Sequence, residues 1–148
     1  MSLQVVYCNH QTTELDLRER LAFATADQLS MAYKQLHTLF PASEAVVLST
    51  CNRVEVYAIP SDTPDAARRA IDEVLLAESG LDRGTITAHG YSVSGREGVH
   101  HLMRVAASLD SMVVGEPQIL GQLKEAVGVA REANTVGPLL GRILERTF

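Results

Sequence analysis

Residues Ala45 to Ala58 read AVVLSTCNRVEVYA, and this segment gives the clearest indication of the fold. Its first four residues are an apolar run of the kind found in buried strands. From residue 54 to residue 58, small apolar side chains alternate with Glu55 and Tyr57, which is typical of a further strand. The polar link between them, residues 49–53, reads Ser-Thr-Cys-Asn-Arg. The sequence therefore predicts two strands joined by a short loop that carries Cys51.

Cys51 is a candidate nucleophile. A side chain in a loop at a strand end is accessible, and Arg53 supplies a positive charge that favours the thiolate over the thiol. The alternative, a small buried hydrophobe, is the commoner fate of a free cysteine, but the polar neighbours of Cys51 argue against it. Cys8 follows Val5-Val6-Tyr7 and is predicted to fill the core. Two cysteines without metal-site spacing predict free thiols and no metal.

The segments on either side complete a βαββαβ order. A capping-box pair, Thr25 and Gln28, opens one helix, and Thr63-Pro64 opens another. Strands are expected at residues 3–8, 45–48, 54–58 and 85–93, and helices at residues 16–23, 26–39 and 64–78. This order is that of the ferredoxin-like split βαβ arrangement, an α+β fold in which helices cover one face of an antiparallel sheet.

Additional C-terminal helices are predicted after the fourth strand. Ser94 and Glu97 have capping-box spacing and begin a helix that extends to about residue 109. Two more are expected at residues 117–132 and 139–148. The last helical pattern is still running at the final residue, so the chain is expected to be a fragment of a longer protein.

Two polar helix faces carry candidate site residues. His101, Arg104 and Ser108 share one side of their helix. If that side faces the Cys51 loop, His101 can carry a proton or bind substrate; if it faces solvent, it has no special role.

On the next helix, Gln118 and Gln122 lie four residues apart on one face. Paired amides can bind a carboxylate and an amine, although a solvated polar face is the simpler interpretation. Glu116 precedes this helix, where the helix dipole favours a carboxylate in any case, and it could also pair with a substrate ammonium group.

Composition limits the class of protein. At 148 residues and 46% hydrophobic, the chain has room for one domain, and it contains no apolar run near the roughly 18 residues needed to cross a bilayer. No secretory signal is visible, so a cytoplasmic location is expected. The net charge of -5 argues against a generally basic nucleic-acid binder. A polyanion would have to meet a local patch of arginines.

Three ordered motifs resemble glutamyl-tRNA reductase. They are Ser49-Thr50-Cys51-Asn52-Arg53-Val54-Glu55, the run from His101-Leu102-Met103-Arg104 to Leu109-Asp110-Ser111, and Gly115-Glu116-Pro117-Gln118-Ile119-Leu120-Gly121-Gln122. Asn9-His10 and Leu17-Arg18-Glu19-Arg20 are similar to the start of that family as well. The resemblance covers essentially residues 1–148 and implies the N-terminal catalytic, glutamate-binding domain.

The resemblance implies a cysteine thioester mechanism. In that family a thiolate takes glutamate from its tRNA ester, and NADPH reduces the thioester to glutamate-1-semialdehyde, the entry to porphyrin and other tetrapyrrole synthesis. The thiolate here would be Cys51, and His101 matches the functional histidine, whereas His100 has no matched role and is expected to face solvent. A thiol is both a good nucleophile and a good leaving group, as this chemistry requires.

The resemblance also implies a substrate site and partners. Arg53 is the best physical match for the substrate side-chain carboxylate. The implied glutamate-binding residues are Thr50, Asn52, Arg53, Ser111, Glu116, Pro117, Gln118 and Gln122. The implied partners are glutamyl-tRNA, a second copy of the full-length protein through a dimerisation domain, and a downstream aminomutase; no membrane partner is expected.

Two departures from the family pattern fall in the first strand, where Tyr7 and Cys8 replace a usual glycine and aliphatic residue. We interpret them as packing variation. The sequence contains no Gly-x-Gly-x-x-Gly, so the NADPH-binding and dimerisation domains are expected beyond residue 148. Two other classes stay open: a thiol hydrolase or acyltransferase that uses Cys51 and His101 without nicotinamide, and a non-catalytic tRNA- or protein-binding module.

Overall fold

The structure is a computed structural model that describes residues 2–9, 13–23, 25–39, 41–60, 63–109 and 118–148. The strands are β1 Gln4–Asn9, β2 Glu44–Ser49, β3 Arg53–Ile59 and β4 Tyr91–Ser94. The helices are α1 Leu15–Leu21, α2 Ala26–Leu39, α3 Pro64–Ser79, α4 Arg83–His89, α5 Arg96–Ala106, α6 Gln118–Glu132 and α7 Pro138–Thr147.

The four strands form one sheet in the order β2-β3-β1-β4. All three neighbouring pairs are antiparallel. The predicted strand pair around Cys51 is confirmed, since β2 and β3 pair from Ser49 opposite Val54 outward. β3 lies in the interior of the sheet and is buried along its whole length.

Helices cover both faces of this sheet. Successive side chains of a strand point to opposite faces. On β1, Tyr7 stacks against His101 of α5, whereas the neighbouring Cys8 lies near Arg68 and Asp72 of α3. The prediction that helices cover one face of the sheet is therefore incomplete. The C-terminal helices also pack on the sheet, α6 on β2 and α7 on β2 and β3.

Local capping explains several helix boundaries. Thr25 and Gln28 exchange the predicted backbone-to-side-chain hydrogen bonds, at 3.1 and 3.2 Å, so this capping box is confirmed. Thr63 accepts a hydrogen bond from the Ala66 amide at the start of α3. Helix α3 ends at Gly80, whose φ of 68° is left-handed backbone that glycine adopts without strain.

The predicted fourth strand is wrong over most of its length. Residues 83–89 form α4, and only Tyr91–Ser94 is a strand. The side chain of Asp82 accepts a hydrogen bond from the Thr85 amide at 2.7 Å, which caps a short helix. Three consecutive β-branched residues at 85–87 favour a strand, but the Asp82 cap and the hydrogen bond from the Gly90 amide to the Ile86 carbonyl stabilise the helix.

The start and end of α5 also differ from the prediction. Ser94 belongs to β4, and the helix begins after Gly95. Gly95 has φ 60° and, as a glycine, no side chain that could cap the helix. The expected Ser94 capping box is therefore wrong. The helix ends at Ala106, and Ser108 follows in a turn with φ 61°, so it does not extend the polar helix face as predicted.

Candidate active site

Cys51 lies in the tight link between β2 and β3. The link is closed by the Thr50 amide, which donates to the Arg53 carbonyl at 2.8 Å. From α1, Arg18 Nη1 donates to the Cys51 carbonyl at 3.3 Å and so attaches the link to that helix. The Cys51 side chain is a free thiol and exposed, which confirms the predicted accessibility. The thiol is therefore open to an incoming substrate.

A cleft beside Cys51 joins two of the predicted motifs. The β2–β3 link supplies one wall and the first turns of α6 the other, and the cleft between them has a volume of about 40 Å³. The lining residues are Thr50, Cys51, Asn52, Arg53, Gln118, Ile119 and Gln122. All except Ile119 were predicted as site residues. The cleft has a mostly polar lining.

The two glutamines reach this cleft because α6 turns its apolar side inward. Ile119, Leu123 and Val127 are buried, whereas Gln118 and Gln122 are exposed, one helical turn apart. Both glutamines are exposed and line the cleft beside Cys51, so their role toward a substrate stays a prediction. Their amides can accept from an ammonium group and donate to a carboxylate.

Arg53 is almost completely buried, with 1% of its side chain exposed. Its Nη1 donates to Glu55 Oε2 at 2.7 Å, and Glu55 is itself 0% exposed. The sequence interpretation assigned Arg53 a substrate carboxylate but did not foresee this protein carboxylate. Arg53 also lines the Cys51 cleft, so its role toward substrate stays a prediction.

His101 faces the sheet, not bulk solvent. Its Nε2 forms a short contact with Glu55 Oε1, and 13% of its side chain is exposed. Its ring also stacks on Tyr7, with 4.5 Å between centroids and 21° between planes. The structure thus connects His101 to Arg53 through one buried carboxylate, and Arg53 in turn lines the Cys51 cleft.

Sequence reasoning missed Glu55 and Tyr7 as members of this group. The available signal was the acidic side chain of Glu55 inside a strand of apolar residues, because a buried carboxylate needs a partner. Tyr7 was interpreted as packing variation, and no pattern within its own strand points to His101.

The remaining predicted residues have different placements. His100 is exposed, as expected. Arg104 is exposed and donates to the Leu109 carbonyl at 3.4 Å, away from the Cys51 cleft lining. Three predicted substrate residues lie outside the described part of the chain: Ser111, Glu116 and Pro117.

Cys8 contrasts with Cys51. It is buried in the core, as predicted, and burial raises the pKa of its thiol. A thiol with a raised pKa carries less thiolate at neutral pH. Of the two cysteines, only Cys51 is accessible to a substrate.

The described ranges contain neither a metal-binding cluster nor a membrane-spanning helix. Among these residues no three His, Cys, Asp or Glu side chains converge so that they could hold a metal ion. No described helix combines the length and the apolar character needed to cross a membrane. The strand pairs described are all antiparallel, so this sheet has no crevice at the carboxyl ends of parallel strands, where dinucleotides bind. The described residues therefore do not fit an NADPH site of that kind.

Comparison with known proteins identifies the family. The model of the family described as Glutamyl-tRNAGlu reductase, N-terminal domain, matches residues 6–148. Glutamyl-tRNA reductase of Syntrophotalea carbinolica is 44% identical over 148 residues, which are 100% of this chain and 33% of that protein. That of Ectopseudomonas mendocina is 51% identical over 143 residues, or 95% of this chain and 32% of that protein.

A solved structure agrees with these sequence matches. Glutamyl-tRNA reductase from Methanopyrus kandleri superposes with a TM-score of 0.77 at 32% identity, over 98% of this chain and 32% of that one. The chain thus spans about a third of the length of the relatives it matches. On these matches and on the cleft that joins the motifs, the chain belongs to the glutamyl-tRNA reductase N-terminal domain family.

Proposed function

We propose that this chain is the catalytic, glutamate-binding domain of an NADPH-dependent reductase that converts glutamyl-tRNA to glutamate-1-semialdehyde for tetrapyrrole synthesis. The observation that carries the proposal is the exposed Cys51 thiol in a cleft with Arg53, Gln118 and Gln122. The relatives are named glutamyl-tRNA reductases, and this name supports glutamyl-tRNA as the substrate and reduction as the reaction class.

The first proposed step is acyl transfer to sulfur. The Cys51 thiolate attacks the ester carbonyl carbon, an S–C bond forms, and the C–O bond to the tRNA ribose breaks. The departing ribose oxygen needs a proton, and we assign its transfer to His101, whose imidazole has the right chemistry and which Glu55 connects to the cleft residue Arg53. The product is an enzyme thioester, which is more electrophilic toward hydride than the ester it replaces.

The second proposed step is reduction. NADPH would be held by a domain outside residues 1–148 and would supply the hydride for the thioester carbonyl. The role of this chain would be to present the thioester on Cys51, and cleavage of the C–S bond would release the aldehyde and return the thiolate.

Recognition of the glutamyl group is proposed to use both walls of the cleft. The amides of Gln118 and Gln122 and the polar side chains of Thr50 and Asn52 line it. Arg53 lines the same cleft, and its guanidinium is the group suited to a substrate carboxylate. Ser111, Glu116 and Pro117 complete the proposed set on the strength of the family resemblance alone.

The proposal extends to fold and assembly. The order β2-β3-β1-β4 with antiparallel neighbours supports a ferredoxin-like core, to which α1, α4 and the C-terminal helices are additions. The free state of both thiols supports a reducing compartment, the cytoplasm, as the place of reaction. Dimerisation through a further domain and transfer of the aldehyde to an aminomutase are proposed from the resemblance.

Intact-mass analysis after incubation with glutamyl-tRNA tests the acyl transfer. We expect a gain of one glutamyl group, mapped to Cys51 by peptide analysis, and no semialdehyde from the 148-residue chain alone. Cys51→Ala should abolish the adduct. Cys8→Ala is the matched control, because it removes the other free thiol from a core position, and it should still form the adduct.

Two outcomes would contradict the proposal. An adduct that persists in Cys51→Ala would reject the assigned nucleophile. If the adduct forms, but addition of the remaining domains and NADPH yields free glutamate and no semialdehyde, the chain is a thiol hydrolase.

A further inference from the structure

His101 is held on two sides by residues that no motif assigned to it. Glu55 Oε1 contacts its Nε2 edge, and the Tyr7 ring lies parallel to its face at 4.5 Å between centroids. With 13% of the side chain exposed, the imidazole has little freedom to turn. The arrangement resembles a general base oriented by a third group, as in catalytic triads.

The charge state of Glu55 decides which imidazole nitrogen carries hydrogen. Its second oxygen, Oε2, accepts from Arg53 Nη1 at 2.7 Å inside the sheet. A buried carboxyl group paired with guanidinium is favoured as the carboxylate, which only accepts hydrogen bonds. Nε2 of His101 must therefore donate, and in the neutral ring Nδ1 is the bare nitrogen.

Tyr7 sets the plane of the same imidazole. The β1–β3 register places Tyr7 directly opposite Glu55, so both side chains project to the α5 face. Tyr7 is in turn opposite Tyr91 on β4, and their rings stack at 6.0 Å between centroids. Tyr91 therefore limits rotation of Tyr7, and Tyr7 limits rotation of His101.

We infer that Glu55 and Tyr7 are positioning residues that hold the His101 ring in one orientation, with Nε2–H on Glu55 and Nδ1 left as the nitrogen for proton transfer. This inference rests on the proposed function and deepens it. Nδ1 takes the proton from the Cys51 thiol, so that the thiolate attacks the ester carbonyl carbon, and returns this proton to the ribose oxygen as the C–O bond breaks. Glu55 and Tyr7 act through His101.

The imidazole nitrogen shifts of the ¹⁵N-labelled 148-residue chain test the Glu55 part without any substrate. Long-range ¹H–¹⁵N spectra report which nitrogen is protonated, and His101→Gln identifies the His101 signals by their loss. We expect protonated Nε2 and, in the neutral ring, unprotonated Nδ1. A neutral His101 with protonated Nδ1 and bare Nε2 would overturn the inference, whatever the chain does with glutamyl-tRNA.

Two substitutions of Tyr7 test the positioning part by the rate of Cys51 acylation. Tyr7→Leu removes the ring, whereas Tyr7→Phe keeps it. Misplacing a catalytic group by about 1 Å costs up to about 100-fold in rate, so Tyr7→Leu should lower the maximal rate by about 10- to 100-fold with little change in half-saturating substrate. Tyr7→Phe should stay close to wild type. Equal rates in the two variants would contradict the inference.

A third variant links the two measurements. In Glu55→Gln the amide oxygen still accepts from Nε2 but the charge is gone, so we expect a mixture of His101 tautomers and slower acylation. Wild-type tautomer and rate in a folded Glu55→Gln chain would reject the role of Glu55. If this variant does not fold, the wild-type spectrum and the Tyr7 pair still decide the outcome.

Discussion

Arg53 and Glu55, two residues apart on β3, form an ion pair inside the protein. Arg53 Nη1 lies 2.7 Å from Glu55 Oε2, and the side chains are 1% and 0% exposed. Side chains at i and i+2 of a strand share a face, so the pair needs no distortion of the backbone. The second carboxylate oxygen of Glu55, Oε1, contacts Nε2 of His101 on α5. Since Arg53 lines the Cys51 cleft, the ion pair connects this cleft to α5.

Loss of either partner of this pair should destabilise the fold strongly. Glu55→Leu and Arg53→Met each remove one partner of a buried ion pair, which costs about 3–5 kcal/mol in free energy of unfolding. The double substitution should lower the free energy of unfolding by much less than the sum of the two single effects. Urea unfolding of the four proteins measures the coupling.

The exposed pair of Arg83 and Glu73 is the control for that cycle. Its side chains are 52% and 50% exposed, so Glu73→Gln should change the free energy of unfolding by less than about 1 kcal/mol. Strictly additive effects of Glu55→Leu and Arg53→Met would show that the buried pair is not coupled.

The two thiols should react very differently with iodoacetamide. Cys51 is exposed, whereas Cys8 is buried and burial raises the pKa of its thiol. We expect modification of Cys51 alone in the folded chain and of both cysteines in denaturant, as mass spectrometry would show. Cys51→Ala should resist modification until it is unfolded. Rapid native modification of Cys8 would contradict the described core.

Tyr33 should make stability fall at alkaline pH. Its hydroxyl oxygen accepts from the Val47 amide at 2.8 Å, and burial raises its pKa from 10.0 to about 12. The folded chain therefore favours the neutral phenol. The stabilisation that this preference adds to the folded state is complete below about pH 10 and is lost as the pH rises toward 12. A difference of this size corresponds to roughly 3 kcal/mol.

Urea unfolding of wild type and Tyr33→Phe at about pH 9 and about pH 11.5 checks this. The variant should be less stable at the lower pH by about 1–3 kcal/mol, because the Val47 amide loses its partner. Between the two pH values, the free energy of unfolding of Tyr33→Phe should fall by less than that of wild type. Tyr91→Phe, which changes an exposed tyrosine, should decline as wild type does, and identical curves for all three would reject the prediction.

Gln122→Ala should weaken glutamyl binding. Its amide lines the cleft beside Cys51, and loss of one hydrogen bond of about 1 kcal/mol corresponds to a change of up to about 10-fold in affinity. The readout is the concentration of glutamyl-tRNA that gives half-maximal acylation. Arg131→Ala, an exposed substitution in the last turn of the same helix, should leave this concentration unchanged. An equal change in both variants would argue against a specific role for Gln122.

Local sequence determined much of this protein. The apolar runs and the polar link predicted β2, β3 and an accessible Cys51, and the capping pairs predicted the starts of α2 and α3. Such features depend on residues within a few positions of one another, so a linear pattern carries them. The same locality explains the error at residues 83–89, where the Asp82 cap outweighed a strand-like alternation.

Only the tertiary structure decided how the site is connected. Glu55 and His101 are 46 residues apart, and the contact depends on how α5 returns across β1 and β3. Likewise, Glu44 at the start of β2 accepts from the Leu140 amide of α7 at 2.9 Å, across 96 residues. No local pattern encodes such pairs, because they form only when burial of both sheet faces brings distant segments together. The residue types of the site could thus be predicted from sequence, whereas their mutual orientation required the packed sheet.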